Sequence, residues 1–108
     1  TGYLHGRAGG WPHYFDKSNL SFNNKKDKIA TCGYYDVVNF ARILKASGIY
    51  SWGFNDDVCP PTSMYAAYNV ITASKSLFLA PETGHWTFPE QDQKLDNWLL
   101  EKLNVKNN

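Results

Sequence analysis

The 108-residue sequence predicts an α/β fold of parallel strands with flanking helices. An apolar run at residues 49–52 indicates a short buried strand, followed by a polar turn and a helical pattern. A second strand-like run at residues 75–80 is followed by another loop and another helical pattern. Repeated strand, loop and helix imply parallel strands joined by a right-handed crossover. Two strands alone would leave both sheet faces and edges open, so we expect the C-terminal edge of a larger sheet.

The first part of the chain is predicted to form loops and a short helix rather than a binding site. Residues 1–24 are rich in glycine and aromatic side chains, but the glycines fit no phosphate-binding pattern. His5 and His13 have no cysteine or acidic partner at metal-ligand spacing, so we expect no metal site there. The opening at Thr1 carries no capping signal, which favours a fragment of a longer protein and leaves the cellular compartment open.

Two helical segments are predicted before the first strand. Residues 25–28 open one, within a connecting loop and helix segment that we place at residues 1–33. After Asp36, a plausible N-cap, one apolar helical face follows, with Gly48 as the expected stop. The residues of that face recur at helical spacing: Val37, Phe40, Ala41 and Leu44.

The remaining residues, 34–108, are predicted to form two strand-helix units, one with an acidic loop and one with a histidine loop. Pro60 and Pro61 favour a helix start, and the buried face of that helix is Met64, Ala67, Tyr68 and Ile71. Thr87 and Glu90 have capping-box spacing. The apolar stripe of the last helix is Leu95, Trp98, Leu99 and Leu103, and the tail after it should fray.

Composition excludes several classes of function. A net charge of +1 gives no electrostatic basis for binding nucleic acid or an anionic membrane. No apolar run approaches the roughly 20 residues needed to span a bilayer. The 16% aromatic content indicates a substantial core, a carbohydrate-facing surface, or both. Cys32 and Cys59 lack CxxC spacing, and we expect two small, buried, reduced side chains.

The residues best placed for chemistry follow the two predicted strands. Asp56 or Asp57 follows the first and His85 follows the second, at the sheet edge where ligands collect in α/β proteins. In a serine hydrolase the Asp orients the imidazole and the His takes the serine proton. The order Asp then His matches the α/β-hydrolase arrangement, but no G-x-S-x-G elbow occurs in the chain. The nucleophile is therefore expected upstream of Thr1, or there is none.

Three motifs resemble the acetyl xylan esterase/cephalosporin C deacetylase family of α/β-hydrolases. They are YDVVNFA at 35–41, GFNDDVCPP at 53–61 and YAAYN at 65–69, and the resemblance covers roughly residues 34–85. In the family pattern the acid aligns with Asp56 rather than Asp57, and the base aligns with His85. Phe54 stands where the family usually has Leu. Trp86 stands where many members have an acidic residue, which implies a different pocket rim.

The resemblance implies the C-terminal part of a single serine esterase domain, with Asp56 and His85 as catalytic residues. Its substrate would be an acetylated xylo-oligosaccharide or another small acetyl ester. It implies no metal or organic cofactor, and it suggests a homo-oligomer. The 108 residues alone would be inactive, because the serine is missing.

Two alternatives stay open. One is another α/β-hydrolase, such as a dienelactone hydrolase or a prolyl-oligopeptidase-like peptidase, against which the Asp-x-x-Cys-Pro-Pro motif argues. The other is a non-catalytic carbohydrate-binding or interaction module, in which Asp56 and His85 would lie far apart or away from a cleft. Trp52 and Trp86 are candidates for a sugar-facing wall, although we expect core packing for both.

Overall fold

The computed structural model describes residues 25–104. In chain order the elements are α1 (Lys25–Tyr35), α2 (Val37–Ala41), β1 (Gly48–Gly53), α3 (Pro61–Val70), β2 (Lys75–Ala80) and α4 (Pro89–Lys102). The predictions for residues 1–24, and for the tail beyond residue 104, lie outside this range. Within it, no helix combines the length and apolar character that crossing a membrane requires.

The two strands form the predicted parallel pair. β1 and β2 run in register from Gly48 opposite Lys75 to Gly53 opposite Ala80, and α3 lies in the connection between them. β2 has the predicted bounds, and β1 extends the predicted strand by one glycine at each end. The parallel arrangement brings the carboxyl ends of both strands to one edge of the sheet.

Helices cover β1 on both faces. Side chains alternate along a strand, and Tyr50 and Trp52 point to α3, where each makes edge-on contacts with tyrosine rings. Ser51 faces the other way and accepts a hydrogen bond of 2.6 Å from Gln91 of α4. Trp52 is buried, as expected for a core residue. Such edge-on aromatic pairs contribute about 0.5–1.5 kcal/mol each beyond area burial.

The helix after Asp36 is shorter than predicted. Asp36 is its N-cap, and its carboxylate accepts a hydrogen bond from the Val38 N–H at 3.1 Å. The helix ends at Ala41, so Leu44 lies outside it and Gly48 begins β1 instead of stopping the helix. Helices are stabilised mainly by packing of their apolar face, and here only Ala41 is buried among the helical residues. The helix therefore ends before the apolar pattern does.

The capping box predicted at Thr87 and Glu90 is wrong. The N-cap of α4 is Phe88, which has no side-chain capping bond, and Pro89 occupies the first helical position. Proline suits that position because its φ is preset and it has no N–H to satisfy, so the start moves one residue past Thr87. The Thr87 hydroxyl lies 3.2 Å from an Asp92 carboxylate oxygen instead.

The predicted apolar faces of α3 and α4 are only partly covered by the described residues. On α3, Ile71 at the C-terminal boundary is buried, while Met64, Ala67 and Tyr68 are half-buried. On α4, Leu95 and Trp98 are half-buried, but Leu99 and Leu103 are exposed. The core of residues 25–104 is accordingly small, with buried apolar side chains at Ala41, Trp52, Ile71 and Ala80.

Candidate active site

The acidic loop holds Asp56 in a fixed position beyond the end of β1. Asp56 is buried, at 9% exposure. One carboxylate oxygen, Oδ1, accepts hydrogen bonds from the backbone N–H groups of Val58 (2.9 Å) and Cys59 (2.7 Å). This turn, closed by the aspartate side chain on its own backbone, is a common local arrangement. It leaves the other oxygen, Oδ2, free to face a second loop.

Asp56 is held in its charged form. Burial raises the pKa of its carboxyl, but the hydrogen bonds from Cys59, His85 and Val58 together with the nearby imidazole outweigh burial, so the pKa lies below its ordinary value. The carboxylate is therefore ionised at neutral pH. An ionised carboxylate only accepts hydrogen bonds, which fixes the direction of its bond to His85.

The histidine loop presents His85 to this carboxylate. Nδ1 of His85 lies 2.9 Å from Oδ2 of Asp56. Because the carboxylate only accepts, the neutral ring carries its proton on Nδ1 and a lone pair on Nε2. The His85 side chain is 54% exposed, and within residues 25–104 Nε2 has no hydrogen-bond partner. This is the tautomer and exposure that a general base requires.

Three hydrogen bonds join the acidic loop to the histidine loop. The Phe54 N–H donates to the Ala80 carbonyl at 2.9 Å, and the Asn55 N–H donates to the Thr83 carbonyl at 3.0 Å. The Asn55 side-chain amide donates to the Pro81 carbonyl at 3.1 Å. These bonds continue the pairing of β1 and β2 past their ends. They hold the two loops, and hence Asp56 and His85, in one arrangement.

Gly53 permits this close approach. A Cβ atom added at Gly53 would collide with the carbonyl oxygens of Thr83 and Gly84. Only glycine therefore lets the backbone of the histidine loop rest on the end of β1. Sequence reasoning did not single out Gly53, and the one available signal was a glycine at the end of a strand followed by the acidic turn.

The structure distinguishes Asp56 from Asp57, which the sequence spacing alone left as equal candidates for the acid. Asp56 contacts His85, whereas Asp57 is exposed. Cys59 also lies beside the pair, and one donor atom each from Asp56, Cys59 and His85 all fall within 4.8 Å of one another. Burial, together with the Asp56 charge, raises the pKa of the Cys59 thiol.

Two smaller expectations change in part. Cys32 and Cys59 are both free, as expected, but half-buried rather than buried. Trp86 does not pack in the core of the described residues. It is 67% exposed, directly follows His85, and its ring lies against Gly84, where an added Cβ would come within 3.0 Å. The site therefore has a large aromatic side chain next to its imidazole.

A parallel strand pair flanked by helices, with an Asp–His pair at its carboxyl edge, places the chain among the α/β-hydrolases. Solved structures agree. The chain matches acetyl xylan esterase 1 from Thermoanaerobacterium sp. JW/SL YS485 at a TM-score of 0.70 and 30% identity, covering 82% of this chain and 28% of that one. It matches an acetyl xylan esterase from Paenibacillus sp. R4 at a TM-score of 0.75 and 23% identity, covering 91% and 32%.

The chain belongs to the acetyl xylan esterase (AXE1) family, whose model matches residues 11–102. It is also 42% identical over 103 residues to the acetyl esterase Axe7A of Xylanibacter ruminicola. That match covers 95% of this chain and 23% of Axe7A. The chain thus spans about a quarter of the length of this relative.

Proposed function

We propose that this chain supplies the acid and the base of a Ser-His-Asp triad in a serine carboxylesterase. Asp56 is the acid and His85 is the base, and the serine comes from polypeptide outside these 108 residues. The observation that carries the proposal is the 2.9 Å hydrogen bond between Asp56 Oδ2 and His85 Nδ1 at the ends of two neighbouring parallel strands. Residues 34–108 would then be the acid-loop and histidine-loop units of a single hydrolase domain.

In this mechanism the lone pair on His85 Nε2 accepts the serine proton as the serine oxygen attacks the acetyl carbonyl. The imidazolium then gives that proton to the departing sugar oxygen, and an acetyl-serine remains. In the second half His85 takes a proton from water, the hydroxide attacks the acetyl-serine, and the proton returns to the serine as acetate leaves. Asp56 stays ionised throughout, which its lowered pKa favours.

No serine of this chain fits the nucleophile's role. The sequence has no G-x-S-x-G elbow. Ser51, which lies on β1, donates to the Phe78 carbonyl at 2.6 Å and accepts from Gln91, so its hydroxyl is engaged within the sheet. We therefore expect the 108-residue chain to show no turnover of p-nitrophenyl acetate by itself.

The substrate we propose is an acetylated xylo-oligosaccharide or a similar small acetyl ester. Two features support this choice: the relatives are an acetyl esterase and an acetyl xylan esterase, and the exposed indole of Trp86 lies next to His85. Flat aromatic rings suit the apolar faces of sugars. If Trp86 contacts the sugar, Trp86→Ala raises KM for an acetylated xylo-oligosaccharide while leaving KM for ethyl acetate close to its original value. An equal rise for both esters would argue against a sugar contact.

The alternatives have less support. A non-catalytic module would place Asp56 and His85 far apart or buried without access to a cleft, whereas here they are hydrogen-bonded and the imidazole is half-exposed. The match to the acetyl xylan esterase family model argues against a dienelactone hydrolase or a prolyl-oligopeptidase-like peptidase.

The test is a chimera in which this chain replaces the matching segment of Axe7A. We expect the chimera to hydrolyse p-nitrophenyl acetate. His85→Ala and Asp56→Asn should each lower kcat by about 10⁴-fold, the scale found when the acid of such a triad is changed to its amide. Asp57→Asn is the matched control, because it makes the same chemical change one residue away on an exposed side chain.

Two results would contradict the proposal. One is a folded, active chimera in which Asp56→Asn and Asp57→Asn have the same small effect. The other is turnover by the pure 108-residue chain that His85→Ala abolishes, since that would require a nucleophile within this sequence. Circular dichroism of each variant separates loss of activity from loss of structure.

A further inference from the structure

The Asp–His pair has a third neighbour that the triad does not use. Cys59 is a free cysteine, half-buried, three residues after Asp56 in the same loop. Its backbone N–H holds Asp56, but its thiol has no part in the proposed hydrolysis. One donor atom from each of Cys59, Asp56 and His85 lies within 4.8 Å of the other two. The sequence predicts no metal site, because this grouping forms only when the two loops meet.

We propose that Cys59, His85 and Asp56 form a binding site for a thiophilic divalent cation of the Zn²⁺ class, and that the bound cation blocks His85 as a base. The cation-binding part of this proposal is independent of the proposed function, whereas the blocking part rests on it.

The donor set selects the class of cation. One thiolate, one imidazole and one carboxylate suit Zn²⁺, whereas Mg²⁺ and Ca²⁺ prefer oxygen ligands alone. Zn–S bonds of about 2.3 Å and Zn–N bonds of about 2.0–2.1 Å place the ligand atoms of a tetrahedral site roughly 3–4 Å apart. The most widely separated donor atoms, up to 4.8 Å apart, need to approach by about 1 Å, whereas His85 Nδ1 and Asp56 Oδ2 are already 2.9 Å apart. Three protein ligands leave a fourth position for water.

Binding changes the protons of the site in a defined way. The Cys59 thiol gives its proton to solvent and binds as the thiolate. The neutral His85 ring binds through Nδ1, the atom that now faces Asp56, so its single N–H proton moves to Nε2. The net release is one proton for each cation bound. Nε2 then has a hydrogen where the serine proton must arrive, so the base is blocked.

The binding test uses the untagged 108-residue chain with Zn²⁺ in calorimetry and Co²⁺ as an absorbing substitute. We expect one cation per chain and a thiolate-to-cobalt charge-transfer band. Cys59→Ser and His85→Ala should each weaken binding at least about tenfold, since even changes to groups that merely support metal ligands cost about 10–100-fold. Cys32→Ser and Asp57→Asn are matched controls that should bind like the original chain.

A further control addresses the other histidines. The sequence has three histidines in all, so a His5→Ala, His13→Ala double variant leaves His85 alone. This variant should keep full binding and the same charge-transfer band. The proposal is overturned if no cation binds, if Cys59→Ser binds as well as the original chain, or if binding follows Cys32 or the two other histidines.

The blocking part is tested in the Axe7A chimera. Zn²⁺ should inhibit hydrolysis of p-nitrophenyl acetate, and Cys59→Ala should raise the inhibiting Zn²⁺ concentration at least about tenfold. Inhibition that Cys59→Ala leaves unchanged would overturn this part. If Cys59-dependent binding is found in the chain while Asp56→Asn leaves the chimera fully active, the metal site stands and the proposed triad fails. The opposite pattern refutes the metal site and leaves the triad intact.

Discussion

Two regions of the described chain, the carboxyl edge of the sheet and the segment of α1 and α2, differ in how completely they are packed. At the carboxyl edge of the sheet, Asp56, Thr83 and Gly84 are buried, and hydrogen bonds join the two loops that carry them. In and directly after α1 and α2, large apolar side chains are open to solvent instead: Tyr34, Tyr35, Val37, Phe40 and Ile43. Both regions come from one short chain with one small core.

The difference shows which part of the chain determines the geometry of the Asp–His pair. The pair depends on two neighbouring strands and the loops that follow them, all within residues 48–85. Large apolar side chains in and beside the α1–α2 segment are exposed, and exposed apolar patches of this kind usually mark surfaces that contact other polypeptide. The geometry of the candidate site is thus local to the strand ends, whereas the exposed apolar side chains of the helical segment suit contact with further polypeptide.

The largest effect should come from adding one methyl group at matched glycines in the two regions. Gly53→Ala forces a Cβ into the carbonyls of the histidine loop, and we expect a loss of about 1–3 kcal/mol in the free energy of unfolding. Gly33→Ala, in α1, meets none of the residues that the structure describes within 4 Å and should stabilise by about 0.5–1 kcal/mol, as alanine does in helices. Urea denaturation measures both. Equal small changes in the free energy of unfolding for the two variants would contradict the difference in packing between the two regions.

A smaller effect should appear in the pH dependence of stability. The pKa of Asp56 is lowered in the folded state, so its contribution is present above the unfolded value of about 3.9 and is lost as pH falls through the folded pKa. Asp56→Asn should therefore lower the free energy of unfolding most at neutral pH, and the difference should shrink on acidification. Asp57→Asn is the control. A pH-independent difference for Asp56→Asn would contradict the account.

The smallest effect concerns the helix starts. Asp36 caps α2 through its side chain, so Asp36→Ala should cost about 0.5–2 kcal/mol, typically near 1. Thr87 does not cap α4, which begins with Phe88 and Pro89, so Thr87→Ala should cost less than about 0.5 kcal/mol. Thermal unfolding compares them. A larger loss of stability for Thr87→Ala than for Asp36→Ala would contradict the N-cap at Phe88 and would support the predicted capping box.

Local pattern was enough to predict the strands and the order of the two site loops. Residues 75–80 form a strand with the predicted bounds, because a short apolar run after a helix has few alternatives. The placement of Asp56 and His85 near each other follows from parallel strands, whose carboxyl ends share one edge. The family resemblance then selected Asp56 over Asp57, in agreement with the contact to His85.

The features that the sequence did not predict depend on side-chain packing and on turns rather than on a periodic pattern. The end of α2 at Ala41 reflects how little its apolar face is packed, which periodicity does not report. Trp86 is exposed because the histidine loop turns its ring onto Gly84, away from the core of the described residues. Cys59 reaches the pair through the turn that Asp56 makes on its own backbone. None of these contacts leaves a periodic signal in the sequence.

The most direct test of Asp56 and His85 as the acid and base of the triad is a crystal structure of the Axe7A chimera. The chimera would first react with a phosphonate ester that traps the serine nucleophile. We expect the phosphonylated serine oxygen to lie within hydrogen-bond reach of His85 Nε2, about 2.6–3.2 Å, with Asp56 still bonded to Nδ1. A trapped serine whose neighbouring base is another residue, with His85 and Asp56 remote from the phosphorus, would contradict it.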